Sequence, residues 1–255
     1  MTDIEIQEII KTANQAGMAI LDIYHHEELF NVVDYKSDDS PLTLADKKSH
    51  QILALKLMEL FPDIPLLSEE GKSIPFEVRK EWAQFWLVDP LDGTKEFIKR
   101  NGEFTVNIAL IKNDYPVLGV IHTPVTGITY YASTDRGAFK LENKKIIPLK
   151  GPADKGNDLI GVRSRSHASP EEEEVFNKFH VTDFISVGSS LKFCMVAEGK
   201  ADLYYRHGPT MEWDTGAGQA IIEEAGCEMI NLKTKERFIY NKESLLNPGF
   251  LVRKK

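Results

Sequence analysis

One short run, residues 86–94, constrains the fold of this chain more than any other segment. It opens with an apolar stretch typical of a buried strand and continues as Asp-Pro-Leu-Asp-Gly-Thr over 89–94. The proline and the glycine indicate a tight turn where the strand ends. Asp89 and Asp92 lie close enough there to disfavour each other's ionisation unless they share a cation. Because Mg²⁺ prefers oxygen ligands, the sequence predicts a magnesium site at this strand end.

Three other acids belong to the same candidate site, and each also has an ordinary interpretation. Asp46 follows Thr43 at the spacing of a helix capping box. Asp214 lies at the start of a helix, where an acid complements the helix dipole. Glu69 lies in a glycine-terminated turn after a short strand, where an acid is normally exposed to solvent. The acids become informative only as a set that could complete an oxygen-rich site.

Composition excludes several classes of protein. The formal net charge of −8 over 255 residues argues against binding nucleic-acid polymers, although bound cations would still allow a small anionic substrate. Cys194 and Cys227 are too few for a disulfide framework or a cysteine-rich metal site, so we expect two reduced thiols in the core. No signal-peptide pattern opens the chain, and no apolar run approaches the roughly 20 residues of a membrane span. We therefore expect a cytoplasmic protein without a transmembrane segment.

Apolar periodicity predicts the elements of the first half of the chain. Helical spacing indicates amphipathic helices over 6–21 and 43–61, separated by a polar loop at 34–41. Alternating apolar residues joined by short turns over 105–140 predict an antiparallel meander.

The pattern changes near Gly151, after which strands alternate with helices. A helix is expected over 213–225, ending at Gly226, which suits a helix C-terminus. We therefore expect an N-terminal α+β lobe over 1–150 and a C-terminal α/β lobe over 151–255.

Two motifs carry a resemblance to a known family. The motif at 89–94 resembles the first signature of the lithium-sensitive, Mg²⁺-dependent phosphatases of the inositol monophosphatase superfamily, and 213–218 resembles its second signature. Segments 95–105 and 188–194 are similar to the bacterial CysQ branch, the 3'(2'),5'-bisphosphate nucleotidases. The resemblance extends over 43–250 and implies an α/β fold, a layered αβαβα sandwich with the site between its two lobes.

The resemblance implies that two to three Mg²⁺ ions share one set of ligands. Glu69, Asp89 and the backbone carbonyl of Leu91 would hold one ion. Asp89, Asp92 and Asp214 would hold a second ion, with Asp89 bridging the two. Glu69 would reach a third, weaker ion through water.

The resemblance also implies a catalytic set made of Glu69, Thr94 and Asp46. Thr94 would hydrogen-bond the nucleophilic water, and Asp46 would orient Thr94 and take up its proton. The phosphate would lie against the ions and the backbone amides of Gly93 and Thr94. The substrate would border four of the metal-binding residues as well: Glu69, Leu91, Asp92 and Asp214.

The nucleotide side of the site rests on fewer residues. Ser164, His167, Ser190 and Lys192 resemble residues that line the nucleotide in bisphosphate nucleotidases, with Lys192 suited to a second phosphate. The ordinary alternatives are an exposed helix lysine and a histidine in a surface loop. The loop at 206–209 is a further candidate to face a phosphate.

One departure from the family pattern lies in the second signature. Gly216 and Gly218 stand where small residues such as alanine are usual, and a glycine inside a helix costs about 1 kcal/mol relative to alanine. This helix is expected to carry Asp214, so a looser helix is one expected consequence.

The resemblance implies an enzyme that hydrolyses the 3'-phosphate of adenosine 3',5'-bisphosphate (PAP) to AMP and phosphate. It also implies action on the sulfated analogue PAPS, clearance of a by-product of sulfur assimilation, and inhibition by Li⁺ or Ca²⁺. Two alternatives stay open: the same chemistry on inositol phosphates or fructose 1,6-bisphosphate, and a non-catalytic sensor that binds metal and nucleotide. The family includes monomers and homodimers, and its bacterial branch is sometimes assigned to the inner face of the membrane as a peripheral protein, so neither property follows from the sequence.

Overall fold

The computed structural model describes residues 1–35, 41–154, 156, 158–164 and 170–255. Within these ranges the helices are α1 (Asp3–His25), α2 (Glu27–Phe30), α3 (Leu44–Leu60), α4 (Phe76–Arg79), α5 (Thr94–Ile98), α6 (Pro170–Lys178), α7 (Leu191–Ala197) and α8 (Glu212–Glu224). The helices predicted over 6–21, 43–61 and 213–225 are confirmed as α1, α3 and α8, respectively. No helix in the described ranges combines the length and the apolar character needed to cross a lipid bilayer.

The polar segment between α1 and α3 is not simply a loop, as the sequence suggested. Strands β1 (Val33–Tyr35) and β2 (Pro41–Thr43) pair antiparallel, with Asp34 opposite Leu42. Three-residue strands are too short for alternation to reveal them, and Pro41 is tolerated because it begins its strand. The rest of this segment, 36–40, lies outside the described residues.

The larger sheet has seven strands that follow one another in chain order. They are β3 (Leu66–Ser68), β4 (Gln84–Asp92), β5 (Thr105–Lys112), β6 (Tyr115–Thr123), β7 (Ile128–Ser133), β8 (Gly137–Glu142) and β9 (Lys145–Leu149). β3 and β4 are parallel, and each later neighbour is antiparallel, which confirms the predicted meander.

Strand β4 is buried on both faces of this sheet, and its alternate residues divide between the two faces. Trp86 and Val88 pack in one apolar cluster with α1 and α3. Phe85 and Leu87 pack in a second cluster with α7, α8 and the smaller sheet. A strand buried on both faces is apolar at every position, which explains the unbroken apolar stretch before Asp89.

The smaller sheet has five strands in the order β11-β10-β12-β14-β13. Its strands are β10 (Leu159–Ser164), β11 (Val181–Val187), β12 (Leu203–Arg206), β13 (Cys227–Asn231) and β14 (Phe250–Lys254). β10 is parallel to β11 and β12, whereas β14 is antiparallel to β12 and β13. The sequence analysis identified no strand at β13 or β14, because short segments carry little periodicity.

Helices α7 and α8 lie between the two sheets, and α6 covers the outer face of the smaller one. Phe176 of α6 packs against Leu203, Tyr205 and Leu251, while Tyr204 on the alternate face belongs to the central cluster. The layers therefore run α1 and α3, large sheet, α7 and α8, small sheet, α6. This confirms the predicted αβαβα sandwich.

The glycines of α8 have a packing role that the sequence did not indicate. A Cβ atom at Gly218 would collide with the ring of Phe193, and one at Gly216 would lie 3.0 Å from Leu87 Cδ2. On the facing strand, a Cβ at Gly119 would collide with the carbonyl oxygen of Ala217. The glycines let α8 approach both α7 and the large sheet closely.

The large sheet ends at Leu149 and the small sheet begins at Leu159, on either side of the expected lobe boundary. One apolar cluster nevertheless joins residues of both sheets, among them Leu87 and Val252. The division into lobes over 1–150 and 151–255 stays a prediction.

Candidate active site

The acidic motif is positioned by a bulge in β4. Asp89 is opposite Asn107 of β5, but Asp92 is opposite Thr105, so β4 has one more residue than β5 between the two pairs. A bulge bends the strand and re-aims its side chains. The strand therefore extends beyond the apolar stretch that predicted it, since β4 continues through Asp92.

The residue after the bulge must be glycine for two reasons. Gly93 has a φ of 93°, in the left-handed region, and a Cβ there would lie 3.1 Å from the Glu103 carbonyl oxygen. The same Cβ would lie 3.2 Å from the Cβ of Ser189. Glycine meets both demands without strain and lets α5 begin at Thr94.

Three carboxylates from separate elements meet beside this bulge. Glu69 follows β3, Asp89 lies in β4, and Asp214 lies in the first turn of α8. One oxygen from each carboxylate lies within 4.8 Å of the other two. An oxygen cluster of this size can hold a divalent cation.

The electrostatics of the cluster fit a bound cation. Burial raises the pKa of Asp89 well above its ordinary value, and the charges of Glu69, Asp92 and Asp214 raise it further. Burial likewise raises the pKa of Asp214, with further increases from Asp92 and Glu69. Buried carboxylates this close resist ionisation unless a cation is shared among them. The donor set therefore fits a hard divalent ion such as Mg²⁺.

Asp92 lies next to the cluster but has different contacts. Its Oδ2 accepts hydrogen bonds from the backbone amide of Ser190 at 2.6 Å and from Asn107 Nδ2 at 3.4 Å. Burial raises the pKa of Asp92 to about 6, while the Lys192 ammonium and these hydrogen bonds oppose that rise. Asp92 is not part of the 4.8 Å cluster of Glu69, Asp89 and Asp214.

Asp46 serves the helix cap and the site at the same time. Its Oδ2 accepts from the backbone amide of Thr43 at 2.7 Å and from the Thr43 hydroxyl at 2.5 Å. Its Oδ1 accepts from the Thr94 hydroxyl at 3.2 Å, and that hydroxyl also lies 3.4 Å from the Leu91 carbonyl oxygen. Burial raises the pKa of Asp46 to about 6, against the lowering effect of the Thr43 hydrogen bonds. Asp46 therefore completes the expected capping box and also contacts Thr94, while its catalytic role stays a prediction.

Asp214 combines the same two properties. Its Oδ2 accepts a hydrogen bond from the backbone amide of Met211 at 2.8 Å, which caps the first turn of α8. The carboxylate also contributes to the cluster with Glu69 and Asp89. The interpretation of Asp214 as a helix-terminal acid is correct but incomplete.

A cavity of about 230 Å³ opens beside these carboxylates. Its wall includes the acids Glu69, Asp92 and Asp214 and also the cations Lys192 and Arg206. The cavity thus has an acidic corner, formed by these carboxylates, and a basic corner, formed by the two cations.

The basic corner consists of one buried side chain, Lys192, and one half-buried side chain, Arg206. Lys192 is only 6% exposed, which excludes the alternative of a solvent-exposed helix lysine. Its ammonium donates to the Ser189 carbonyl oxygen at 2.6 Å, and burial lowers its pKa to about 8 while Asp92 opposes the shift. Arg206 donates from Nη2 to the Pro209 carbonyl oxygen at 3.3 Å. Its Nε is buried without a hydrogen-bond partner among the described residues.

The other residues expected on the nucleotide side have mixed outcomes. Ser164 and Ser190 lie on the cavity wall. The Ser190 hydroxyl, however, is directed to Asn107 Oδ1 at 2.8 Å and to the Thr105 hydroxyl at 2.7 Å. His167 lies outside the described residues.

Sequence reasoning missed three polar residues that support the site. Glu103 Oε2 accepts from the backbone amide of Gly188 at 2.8 Å, and Thr105 and Asn107 contact Ser190. A signal was present, because Thr105 and Asn107 fall on one face of an otherwise apolar strand. Two polar residues at alternate positions of a buried strand indicate a polar partner on that side.

The geometry can be compared with known proteins. The model of the inositol monophosphatase family matches residues 4–253 of this chain. The 3'(2'),5'-bisphosphate nucleotidase CysQ of Salmonella typhimurium is 47% identical over 249 residues, covering 97% of this chain and 98% of that protein. The protein of the same name from Escherichia coli K12 is 46% identical over 249 residues with the same coverage.

Solved structures agree with these relatives. The crystal structure of CysQ from Bacteroides thetaiotaomicron, a bacterial member of the inositol monophosphatase family, matches with a TM-score of 0.85 and 46% identity. It covers 98% of this chain, which covers 96% of that one. An inositol monophosphatase of Thermotoga maritima matches with a TM-score of 0.79 at 21% identity, over 98% of this chain and 91% of its own. That second likeness concerns the fold alone.

Proposed function

The chain belongs to the inositol monophosphatase family, and we propose that it is a Mg²⁺-dependent 3'(2'),5'-bisphosphate nucleotidase. Its reaction is hydrolysis of the 3'-phosphate of PAP to AMP and phosphate, with PAPS converted to APS in the same way. One observation carries the proposal: Glu69 and Asp214, which cluster with Asp89, line one cavity together with two cations, Lys192 and Arg206. Full-length relatives that bear this activity in their name agree with it.

The acidic corner would hold the metal. Glu69, Asp89 and the carbonyl of Leu91 would bind one Mg²⁺, and Asp89, Asp92 and Asp214 a second, with Glu69 reaching a third through water. The observed clustering of three of these carboxylates supports the set. Bound Mg²⁺ supplies a water of lowered pKa and neutralises charge on the attacking and leaving oxygens.

Thr94 and Asp46 would handle the proton of the attacking water. The Thr94 hydroxyl donates to Asp46 Oδ1, so its own oxygen is free to accept a hydrogen bond from that water. The pKa of Asp46, which burial raises to about 6, lies near neutral pH, where a carboxylate works well as a general base. Backbone amides of Gly93 and Thr94, at the turn into α5, would face the phosphate.

The basic corner favours a substrate with two phosphates over one with a single phosphate. The carboxylates and their cations account for the phosphate that is cleaved, and Lys192 and Arg206 remain to bind another anion. A guanidinium N–H that has no partner among the described residues, such as Arg206 Nε, is well suited to a phosphate oxygen. Ser164 lies on the same wall, and we include it, with Ser190 and His167, in the proposed nucleotide-binding set.

The biological role proposed with this activity is clearance of PAP formed during sulfur assimilation. The location of the protein, in the cytoplasm or at the cytoplasmic face of the inner membrane, stays a prediction. A monomeric or dimeric state stays one as well.

The test is Mg²⁺-dependent phosphate release from PAP, inositol 1-phosphate and fructose 1,6-bisphosphate, measured side by side. Wild type, Asp89→Asn and Lys192→Met would be compared with Asp63→Asn, which changes an exposed acid elsewhere on the surface. We expect preference for PAP in wild type and in the control. We expect loss of all turnover in Asp89→Asn, and loss of the PAP preference in Lys192→Met.

Two outcomes would contradict the proposal. Preference of the wild type for inositol 1-phosphate would keep the metal chemistry but overturn the nucleotide pocket. Binding of PAP without phosphate release at saturating Mg²⁺ would instead favour a sensor.

A further inference from the structure

The contacts of Asp92 lead to an inference about three residues outside the catalytic set. We propose that Asn107, together with Thr105 and Ser190, is a positioning group that fixes which oxygen of Asp92 faces the metal site. The inference deepens the proposed function, because it requires that Asp92 be a metal ligand. It concerns the orientation of that ligand rather than its identity.

Two hydrogen-bond donors from distant segments of the chain converge on one oxygen of Asp92. The Ser190 backbone amide, just before α7, donates to Oδ2 at 2.6 Å, and Asn107 Nδ2 of β5 donates to the same oxygen at 3.4 Å. A carboxylate with one oxygen held by two N–H groups presents its other oxygen in a single direction. Oδ1 is then the oxygen left for a cation.

The orientation of the Asn107 amide is set by two hydroxyl groups. Asn107 Oδ1 accepts from the Ser190 hydroxyl at 2.8 Å and from the Thr105 hydroxyl at 3.1 Å. The two hydroxyls also lie 2.7 Å apart, so their two hydrogens are shared among three contacts in a small network. With its oxygen engaged by hydroxyls, the amide directs its nitrogen to Asp92.

Burial makes this network difficult to replace with solvent. Thr105 is 0% exposed, and Asn107 and Ser190 are each 1% exposed. A buried polar group that loses its partner has no water to compensate it. The hydroxyl of Thr105 therefore matters to Asp92 although it does not touch it.

Neighbouring residues of the same strand show that these polar side chains are not required by the sheet itself. Ala109 and Ile111 continue the same face of β5 and pack in the apolar core with α7 and α8. Thr105 and Asn107 interrupt that apolar face only where it meets Asp92 and Ser190. The carboxylate of Asp92 therefore explains why β5 has polar residues at positions 105 and 107.

A second contact holds the loop 188–190, between β11 and α7, against the segment that precedes β5. Glu103 Oε2 accepts from the Gly188 amide at 2.8 Å, two residues before Ser190. A Cβ at Gly188 would lie 2.9 Å from the Glu103 carbonyl oxygen, so the loop lies directly on the segment that precedes β5. The amide of Ser190 is thereby held in place to donate to Asp92.

The experiment is a titration with Mn²⁺, with free ion counted by electron paramagnetic resonance in the absence of substrate. The variants are Asn107→Leu, which removes the donor at similar volume, and Thr105→Val, which removes only the hydroxyl. Thr105→Ser is the matched control, because it keeps the hydroxyl. Steady-state hydrolysis of PAP is measured on the same samples as a function of Mg²⁺.

We expect Asn107→Leu to weaken Mn²⁺ binding by about 10- to 100-fold, as loss of a residue that orients a metal ligand commonly does. Thr105→Val should weaken it less, and Thr105→Ser should bind Mn²⁺ like the wild type. The Mg²⁺ concentration needed for half-maximal activity should rise in the same order. A purely structural role would lower the melting temperature without separating Thr105→Val from Thr105→Ser in metal affinity.

The outcomes separate this inference from the proposed function. Wild-type Mn²⁺ affinity in folded Asn107→Leu and Thr105→Val would overturn the positioning role while leaving the nucleotidase proposal intact. Mn²⁺ binding that is weakened as expected, in a protein that does not hydrolyse PAP, would support positioning and overturn the proposed activity. If Asn107→Leu fails to fold, the comparison of Thr105→Val with Thr105→Ser decides alone.

Discussion

Helices α3 and α8 begin in the same way but are held in place differently. Each has an aspartate in its first turn whose Oδ2 accepts from the backbone amide three residues earlier, at 2.7 Å for Asp46 and 2.8 Å for Asp214. Each aspartate also belongs to the site, Asp46 through Thr94 and Asp214 through the carboxylate cluster. In both helices, therefore, the hydrogen bond that caps the helix also orients the aspartate carboxylate.

The difference lies in what supports the cap. At α3 the partner is local, because the Thr43 hydroxyl completes a capping box within four residues. At α8 the support is remote: Asn247 Nδ2 donates to the Met211 carbonyl oxygen at 2.7 Å and to the Thr215 hydroxyl at 3.1 Å. The carboxylate of Glu212 accepts from the backbone amides of Asn241 and Lys242.

The remote support reaches further still. Arg79 is 2% exposed and donates to Asn241 Oδ1 at 2.9 Å and to the Lys242 carbonyl oxygen at 3.2 Å. Asn241 Nδ2 donates in return to the Arg79 carbonyl oxygen at 2.8 Å. The segment around 241–247 thus fastens the start of α8 to the region between β3 and β4. The cap of α3 depends on neighbours in sequence, and that of α8 depends on the assembled fold.

The comparison predicts the largest effects for the carboxylates themselves. Asp214→Asn keeps an oxygen to accept from the Met211 amide but removes the charge that would stabilise a cation, so kcat/KM for PAP should fall on the order of 10³-fold.

A smaller loss of activity is expected at α3. Asp46→Asn keeps the cap of α3 and removes the proposed general base, so kcat/KM for PAP should fall by about 10²-fold. Phosphate release and melting temperature would be measured together. A greater loss in Asp46→Asn than in Asp214→Asn would reverse the order assigned here.

Breaking the remote support should reduce stability more than any change at the local cap. Glu212 is 0% exposed and its carboxylate is 2.5 Å from the Lys242 ammonium. Removal of one member of a buried ion pair typically costs about 3 to 5 kcal/mol, so Glu212→Ala should lower the free energy of unfolding by about 3 kcal/mol. The partial exposure of Lys242 places the value at the low end.

Urea unfolding is the measurement, and the double variant Glu212→Met with Lys242→Met is its control. Replacing both charges leaves neither one unpaired, so the double variant should be more stable than Glu212→Ala. Equal stability of Glu212→Ala and the wild type would show that the segment around Lys242 does not support α8.

Asn247 is the second remote support, and its effect should be smaller. Asn247→Ala removes one hydrogen bond to the Met211 carbonyl oxygen and one to the Thr215 hydroxyl, which should lower the free energy of unfolding by about 2 kcal/mol. Asn247→Asp keeps the size of the side chain but removes the N–H donors, so it should be destabilised as well. A variant Asn247→Asp as stable as the wild type in urea would argue that packing, not hydrogen bonding, explains this residue.

The same contrast explains what could be predicted from the sequence. The capping box of α3, the meander and the acidic motif depend on neighbours in the chain, and all were recognised from spacing. The bulge at Asp89 and Asp92, the network of Thr105 and Asn107, and the support of α8 depend on contacts between distant segments. Spacing carries no information about which distant donor meets a carboxylate, so these features appear only in the assembled fold.

The smallest effect is expected at the local cap, where the prediction is also the most direct. Thr43→Ala removes the hydroxyl that accepts from the Asp46 amide and donates to its carboxylate, and loss of such a cap costs about 1 kcal/mol. Thr43→Ser keeps the hydroxyl and should differ from the wild type by only a few tenths of a kcal/mol. Urea unfolding of both variants is the measurement. If Thr43→Ala costs as much as Glu212→Ala, the local cap is coupled to the rest of the site, and the distinction between the two helices no longer holds.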